Sequence, residues 1–250
     1  MKNHNSIFLN YFSFFIKVLI LFIVTFSLKA DENNIGIVSE IKGEAVAIND
    51  DLEERDLNVF DSIFSNEEIF TTENSSITLQ FNDDTTIIMK ELTSLVVSEF
   101  LNSKLDPKFK SKVSKGKIVV ETGSIAKNKT GEMEVIVKTS SLGLRGTRVN
   151  AALDPSGKLD VSLGEDNFGN VGLIELVSNN QSQSIFSTDQ VIEISDDQIS
   201  QREKSTEEQN EEKESNETFV NNSKINEDEI EIQLISKLTS GKINDVNNDG

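Results

Sequence analysis

The run Lys138-Thr-Ser-Ser-Leu-Gly-Leu-Arg-Gly-Thr-Arg-Val-Asn150 holds two glycines three residues apart, with an arginine between leucine and glycine. Glycine there supplies backbone that turns with φ > 0 or that approaches a neighbour too closely for a Cβ. An arginine in an apolar corner needs a carboxylate or several carbonyls, because leaving its charge unpaired is costly. Gly143, Arg145, Gly146 and Thr147 are therefore expected to form a structural corner with a satisfied arginine, between a strand ending at Thr139 and one beginning at Arg148. A second cluster is basic: Lys104, Lys108, Lys110, Lys112, Lys115 and Lys117, accompanied by Pro107 and few apolar residues. Residues 102–115 read as an exposed connection or a short amphipathic helix, and the lysines as a candidate docking patch for anionic glycan, lipid headgroup or an acidic protein face.

Other chemistries fail on residue type. The chain has no cysteine, and its one histidine, His4, lies in the first thirty residues. Disulfides, thiolate metal sites and histidine-based triads are thereby excluded from the rest. Gly123-Ser-Ile-Ala-Lys-Asn-Lys-Thr130 mimics a phosphate-binding loop but carries Asn128 where the second glycine belongs. Asp245-Val-Asn-Asn-Asp-Gly250 copies the first six positions of a calcium loop without the bidentate glutamate that completes one. Nothing singles out two of the 43 acids as a catalytic pair. No catalytic residue, metal or cofactor is expected, and the chain is not expected to be an enzyme. A net charge of −19 also argues against nucleic acid as a partner.

The elements that must position these residues follow from hydropathy pattern. Lys2 and His4 precede a Phe-rich stretch and the apolar run Val18–Phe26, and the chain turns acidic after Ala30. Residues 1–30 are expected to be a cleaved signal peptide, or else an uncleaved anchor across 6–28 with Lys17 in mid-span. Either way the remainder is expected to be exported, to the periplasm or cell surface. From there the sequence reads as strand after strand. Ser76-Ile-Thr-Leu-Gln-Phe81 alternates apolar and polar at period two, Asn82-Asp-Asp84 is hairpin-turn chemistry, and Thr85–Met89 returns. Ser94–Phe100, Gly116–Thr122, Met133–Thr139, Arg148–Leu153, Leu159–Leu163, Val171–Val177, Ser184–Phe186 and Val191–Ile194 continue the series. About a dozen short strands with frequent turn signals predict an all-β body over residues 31–195, built either as a sandwich or as an elongated β-solenoid or β-roll. Residues 196–250, rich in like charges and poor in apolar side chains, are expected to be a disordered acidic tail with a short amphipathic helix near 227–239.

The order of local patterns from about residue 35 to 194 resembles the FecR-type extracytoplasmic domain. Gly36-Ile-Val-Ser-Glu-Ile-Lys-Gly43 is similar to its opening strand pair, and Phe60-Asp61 with Glu68-Ile-Phe-Thr71 to its next segment. Ser76–Thr85 resembles its "S-x-x-L-x-F-x-D-x-T" hairpin, and Ser94-Leu-Val-Val97 the following strand. Gly116, Gly123, Val137-Lys-Thr139 and Leu144-Arg-Gly-Thr147 are similar to its finish, with Ser140 where the family usually has proline. Family members that regulate iron–citrate uptake carry, ahead of a membrane segment, a cytoplasmic region that binds a sigma factor; here the apolar leader occupies that place. The resemblance thus implies the fold and an exported, non-enzymatic role that binds or scaffolds an envelope protein or glycan. The alternative it implies is a membrane-anchored relay that couples a surface stimulus to transcription.

Overall fold

A computed structural model describes residues 34–195 and 198–219. The leader, the amphipathic stretch near 227–239 and Asp245–Gly250 lie outside the described residues. Among the described residues, seventeen strands follow one another. The first eight are β1 (Asn34–Lys42), β2 (Ala45–Ile48), β3 (Glu54–Asp56), β4 (Ser62–Phe64), β5 (Glu68–Thr71), β6 (Ser76–Phe81), β7 (Thr86–Met89) and β8 (Ser94–Leu101). The long β9 (Lys108–Glu121) and a single helical turn, α1 (Ser124–Lys127), come next. After them run β10 (Glu132–Val137), β11 (Ser140–Arg145), β12 (Arg148–Leu153) and β13 (Leu159–Gly164). The last four are β14 (Leu173–Ser178), β15 (Gln181–Ile185), β16 (Gln190–Ser195) and β17 (Gln198–Glu203). A helix, α2, spans 206–219.

The expected all-β class holds for the body, and its architecture is a two-layer sandwich. The first layer orders its strands β4-β1-β6-β7-β9-β12-β13-β16-β17. The second runs β3-β2-β5-β8-β9-β10-β11-β14-β15. The chain switches layers repeatedly, which is why many short runs of modest hydrophobicity suffice. Each strand contributes its inward parity only, and those residues join one core containing Val38, Leu79, Val120, Val135, Leu142 and Val161. All pairings are antiparallel except β9–β10, which α1 and its flanking turns connect.

β9 belongs to both layers. Its first half lies between β8 and β10, its second between β7 and β12, and Gly116 turns it from one to the other with φ +88. The expectation of a loop or helix over 102–115 is corrected here, because residues 108–115 are strand. Phe109, Ser111 and Val113 point into the core while Lys108, Lys110 and Lys112 stand on the outer face. The edge-to-face cluster of Phe109 with Phe81 and Phe100 fixes this register. The corner is also smaller than expected. Ser140–Arg145 is itself a strand, paired with β10 and β14, so the chain turns only at 138–139, where Lys138 takes φ +56, and at 146–147.

The folded body extends past the expected boundary at 195. β17 pairs with β16, and α2 lies on the outer face of the first layer. No apolar period marks α2, yet Glu208, Glu211, Glu212, Ser215, Asn216 and Phe219 recur at helical spacing on one face. That face meets cations. The Arg202 guanidinium donates to Glu208 at 2.6 and 2.7 Å, and to Glu193 and Asp160. Lys204, its side chain buried, donates to Glu212 at 2.8 Å and to the Leu163 carbonyl. Lys117 pairs with Glu211, and Phe219 packs on Ile88 and Val119. Ser205 begins the helix with a capping box: its hydroxyl accepts from the Glu208 N–H while Glu208 accepts from the Ser205 N–H.

Ser205→Ala should remove about 1 kcal/mol of local stability. Amide exchange within 206–219 should speed up while exchange in β9 and β12 stays unchanged; equal acceleration in both regions would contradict a separately docked helix. The hydrogen bonds from Arg202 hold the Glu208 carboxyl well below its ordinary 4.5, at about 2. A carboxyl depressed in the folded state stabilises fully above its ordinary value and loses that contribution as pH falls toward the folded one. The helix should therefore loosen between about pH 4.5 and 2. Amide exchange of 206–219 measured across that range checks this.

Candidate functional site

The charged chemistry of this protein gathers where the second half of β9 meets β12. Arg148 stands opposite Glu121 in the β9–β12 register, and both side chains face outward beneath α2. Arg148 is 1% exposed and Glu121 7%. The Arg148 Nε donates to Glu121 Oε2 at 2.7 Å, one terminal nitrogen donates to Asn167 Oδ1 at 2.6 Å, and the other reaches Asn216 of α2. Phe219 lies 4.5 Å from the guanidinium carbon, close enough for a cation–π contact. Burial pushes the Glu121 carboxyl up from its ordinary value, while Arg148 and the Asn167 N–H pull it back. A charge this deeply covered persists because each of the three guanidinium nitrogens finds a partner.

Beside this pair runs a second buried network. Asp83, 1% exposed in the β6–β7 turn, accepts from the Thr85 N–H and hydroxyl at 3.1 and 2.8 Å. Thr85 Oγ1 in turn accepts from the Gly123 N–H at 3.0 Å, and the Asp83 carbonyl accepts from the Ser124 N–H at 2.7 Å. A Cβ on Gly123 would come within 2.1 Å of that carbonyl, so the close approach requires glycine. Burial raises the Asp83 carboxyl above its ordinary value, and the hydrogen bonds from Thr85 and Ile125 oppose it. The two networks are joined through Thr122 and Thr147, whose backbone and hydroxyl groups bond to each other at 2.8 and 3.1 Å.

The corner residues find separate roles. Thr147 is buried in this junction, and its hydroxyl donates toward the Gly164 and Arg148 carbonyls. Gly146 takes φ +57, but a Cβ there would meet only Lys127 at 3.8 Å, so conformation rather than crowding calls for glycine. Gly143 sits in mid-strand with ordinary room. Arg145 is exposed and donates to the Gly131 carbonyl at 2.9 Å. The arginine that needs a carboxylate is therefore Arg148, three residues later. Strand parity separates the two, and Glu121, 27 residues away, could not be assigned to either from sequence.

The six lysines do not form one patch. Lys117 lies on the first layer against α2, and Lys115 lies 4.2 Å from the centre of the Phe70 ring. Lys110 is paired with Glu134 at 2.8 Å and Lys108 with Asp106 at 3.5 Å. Lys104 and Lys112 carry no ion pair among the described residues, and Lys112 stands between Val96 and Ile136. Between α1, the β6–β7 turn and the 165–172 loop opens a cavity of about 400 Å³, with Glu121, Thr122 and Gly123 in its wall. Among the described residues, no group of three or more His, Cys, Asp or Glu side chains could hold a metal ion. No helix among them is long and apolar enough to cross a membrane.

A family model described as FecR protein matches residues 67–165. That span runs from the start of β5 past the end of β13 and contains Asp83, Thr85, Glu121, Gly123, Thr147 and Arg148. The Gly36–Gly43 and Phe60-Asp61 patterns lie before it, in strands that pair into the same sandwich or in the turn beside them. Among solved structures, two crystal structures of a candidate anti-sigma factor from Parabacteroides distasonis ATCC 8503 align at TM-score 0.45 with 11% identity. These alignments cover 56% of this chain and 61% of that one, so the chain spans about three fifths of the length of that relative. A cell surface anchoring domain aligns at TM-score 0.24 with 27% identity, over 25% of this chain and 82% of that one. No curated protein matches the chain.

Arg148→Ala should cost about 3–5 kcal/mol, since it leaves Glu121 buried without its cation. Arg145→Ala should cost under about 0.5 kcal/mol. Urea unfolding of both variants tests the assignment, and equal midpoints would overturn it. Gly146→Val should cost about 1–2 kcal/mol through its left-handed backbone, whereas Gly143→Val should be close to neutral.

Proposed function

We propose that this chain, which carries a FecR-type domain over residues 67–165, is an exported, non-enzymatic protein that binds or scaffolds a protein or glycan partner in the cell envelope. The observation that carries the reading is how the charged side chains are used. Arg148 is consumed by Glu121, Asn167 and Asn216, and Lys204 by Glu212 and a carbonyl. Asp83 is held by Thr85 and by the backbone near Gly123. Groups tied up in this way hold backbone in place; a general acid or base needs a side-chain atom free to meet a substrate. What remains for a partner is the rigid surface that these networks brace.

On that surface Lys104 and Lys112 are the cations best placed to meet an anionic partner. Their neighbours Lys108 and Lys110 are partly neutralised by Asp106 and Glu134. Binding of the full chain to heparin resin should be weak and should disappear as ionic strength rises. The double change Lys104→Gln and Lys112→Gln should lower the eluting salt concentration. Unchanged elution would remove this face from the account. Recovery of the same envelope component by wild-type chain in repeated pull-downs, and its absence from an unrelated acidic β protein, tests the binding role itself.

The FecR match also supports a second reading, a relay anchored by residues 6–28 that couples a surface stimulus to transcription. Deletion of the gene should then change transcripts of an extracytoplasmic stress or uptake response.

A further inference from the structure

The cavity beside Gly123 is lined by segments far apart in sequence: the β6–β7 hairpin, the end of β9 with α1, and the 165–172 loop. Its volume, about 400 Å³, lies within the roughly 300–1,000 Å³ range of small-ligand pockets. The wall is stiff. The buried Asp83–Thr85–Gly123 bonds fix one side, and the Glu121–Arg148–Asn167 bonds fix the other. Stiff walls lower the ordering cost of taking a ligand.

Facing the space are side chains with polar atoms left to offer a ligand, although the Lys127 charge also acts on Asp166. Asp84, Thr86, Ser124 and Lys127 line it, and their side chains make no hydrogen bond or ion pair among the described residues. Together they offer a carboxylate, two hydroxyls and an ammonium within one small volume. Phe168 stands at the same cavity and is 83% exposed. Its backbone is pinned rather than loose: the Phe168 and Asn170 N–H groups donate to Asp166 Oδ1 at 2.9 and 2.8 Å, and the Asn170 amide donates to both Asp166 oxygens. A large apolar ring held out in water on a rigid turn is costly to leave bare and well suited to stack on a ligand.

Charge narrows the ligand. Asp84 and Glu121 contribute two carboxylates, Glu121 already neutralised by Arg148, and among the described residues the cation in the lining is Lys127, whose charge also acts on Asp166. An anionic ligand gains little here, and a large apolar one would strand the polar side chains. Neutral molecules with many hydroxyls and a flat apolar face fit both demands. We infer that the cavity between Gly123 and Phe168 is a subsite for a neutral saccharide, with Phe168 stacked on the C–H face of a pyranose ring and Asp84, Thr86, Ser124 and Lys127 bonding its hydroxyls. This rests on the reading of the chain as a binding domain and names a ligand class and a place for it, distinct from the lysines of β9.

The test is saturation-transfer NMR on the full chain with maltose and with N,N′-diacetylchitobiose as separate probes. At least one should receive saturation, strongest on the ring C–H protons. Phe168→Ala, an exposed position, should weaken that binding about two- to tenfold. Asp84→Asn should also weaken it while keeping the turn, because asparagine tolerates the φ of +67 found there. Lys112→Gln should leave it unchanged. Absence of transfer from both probes overturns the subsite, as does transfer that Phe168→Ala and Asp84→Asn leave intact. If the variants retain an envelope partner in pull-downs while neither saccharide binds, the subsite falls and the binding role stands.

Discussion

One strand has to satisfy two sheets. β9 gives its first half to one layer and its second half to the other, so neither layer is complete without it. The bend between the halves is permitted by Gly116 alone, whose missing Cβ leaves space for Thr93 beneath it. Thr93 closes the joint from the other side: its hydroxyl accepts from the Lys117 N–H at 3.0 Å, and its N–H donates to Thr71 Oγ1. Every functional placement follows from this geometry. The bend turns Lys108, Lys110 and Lys112 outward on one layer and sets Glu121 outward on the other, where Arg148 can reach it.

Charge does on the outside of the first layer what apolar contact does between the layers. The pair of Glu121 with Arg148 is weak evidence of net stability, because desolvation takes back much of the attraction. Its value lies in geometry. Arg148 joins β9, β12, the 165–172 loop and α2 through one planar group with several donors, and lysine could not span those directions. Gly164, next to it on β13, leaves space that a Cβ would close against Glu212 at 2.6 Å. An acidic helix with one buried aromatic is thereby fitted to a sheet face that is basic only at chosen points.

The core was the most legible part of the sequence, because a half-buried strand prints its parity directly. The Ser76–Phe81 and Thr86–Met89 hairpin, Met133–Val137, Arg148–Leu153 and Leu159–Leu163 are all strands, as the period-two pattern of the first and the short apolar runs between turn signals indicate. The first half of β9 was hidden because lysine occupies its outer positions and Ser111 one of its inner ones, which leaves only Phe109 and Val113 to show the period; its second half, from Gly116, reads as strand. α2 was hidden for a different reason. Apart from Phe219, its sheet-facing stripe consists of glutamates, serine and asparagine, so a search for apolar period passes over it, although Ser205-Thr-Glu-Glu208 is a readable start signal. The pairing of Arg148 rather than Arg145 depends on strand order, which local sequence does not encode.

The strand order also decides how the sandwich ends. Among the described residues, its four outermost strands are β4 and β17 in one layer and β3 and β15 in the other, each three to six residues long. Their sequences, Glu-Arg-Asp, Ser-Ile-Phe, Gln-Ser-Gln-Ser-Ile and Gln-Ile-Ser-Gln-Arg-Glu, offer brief and mostly polar margins. A neighbouring chain seeking to add a ribbon would find few backbone groups in a row and little apolar surface to bury with them. At high local concentration margins of this kind resist lateral growth into fibres.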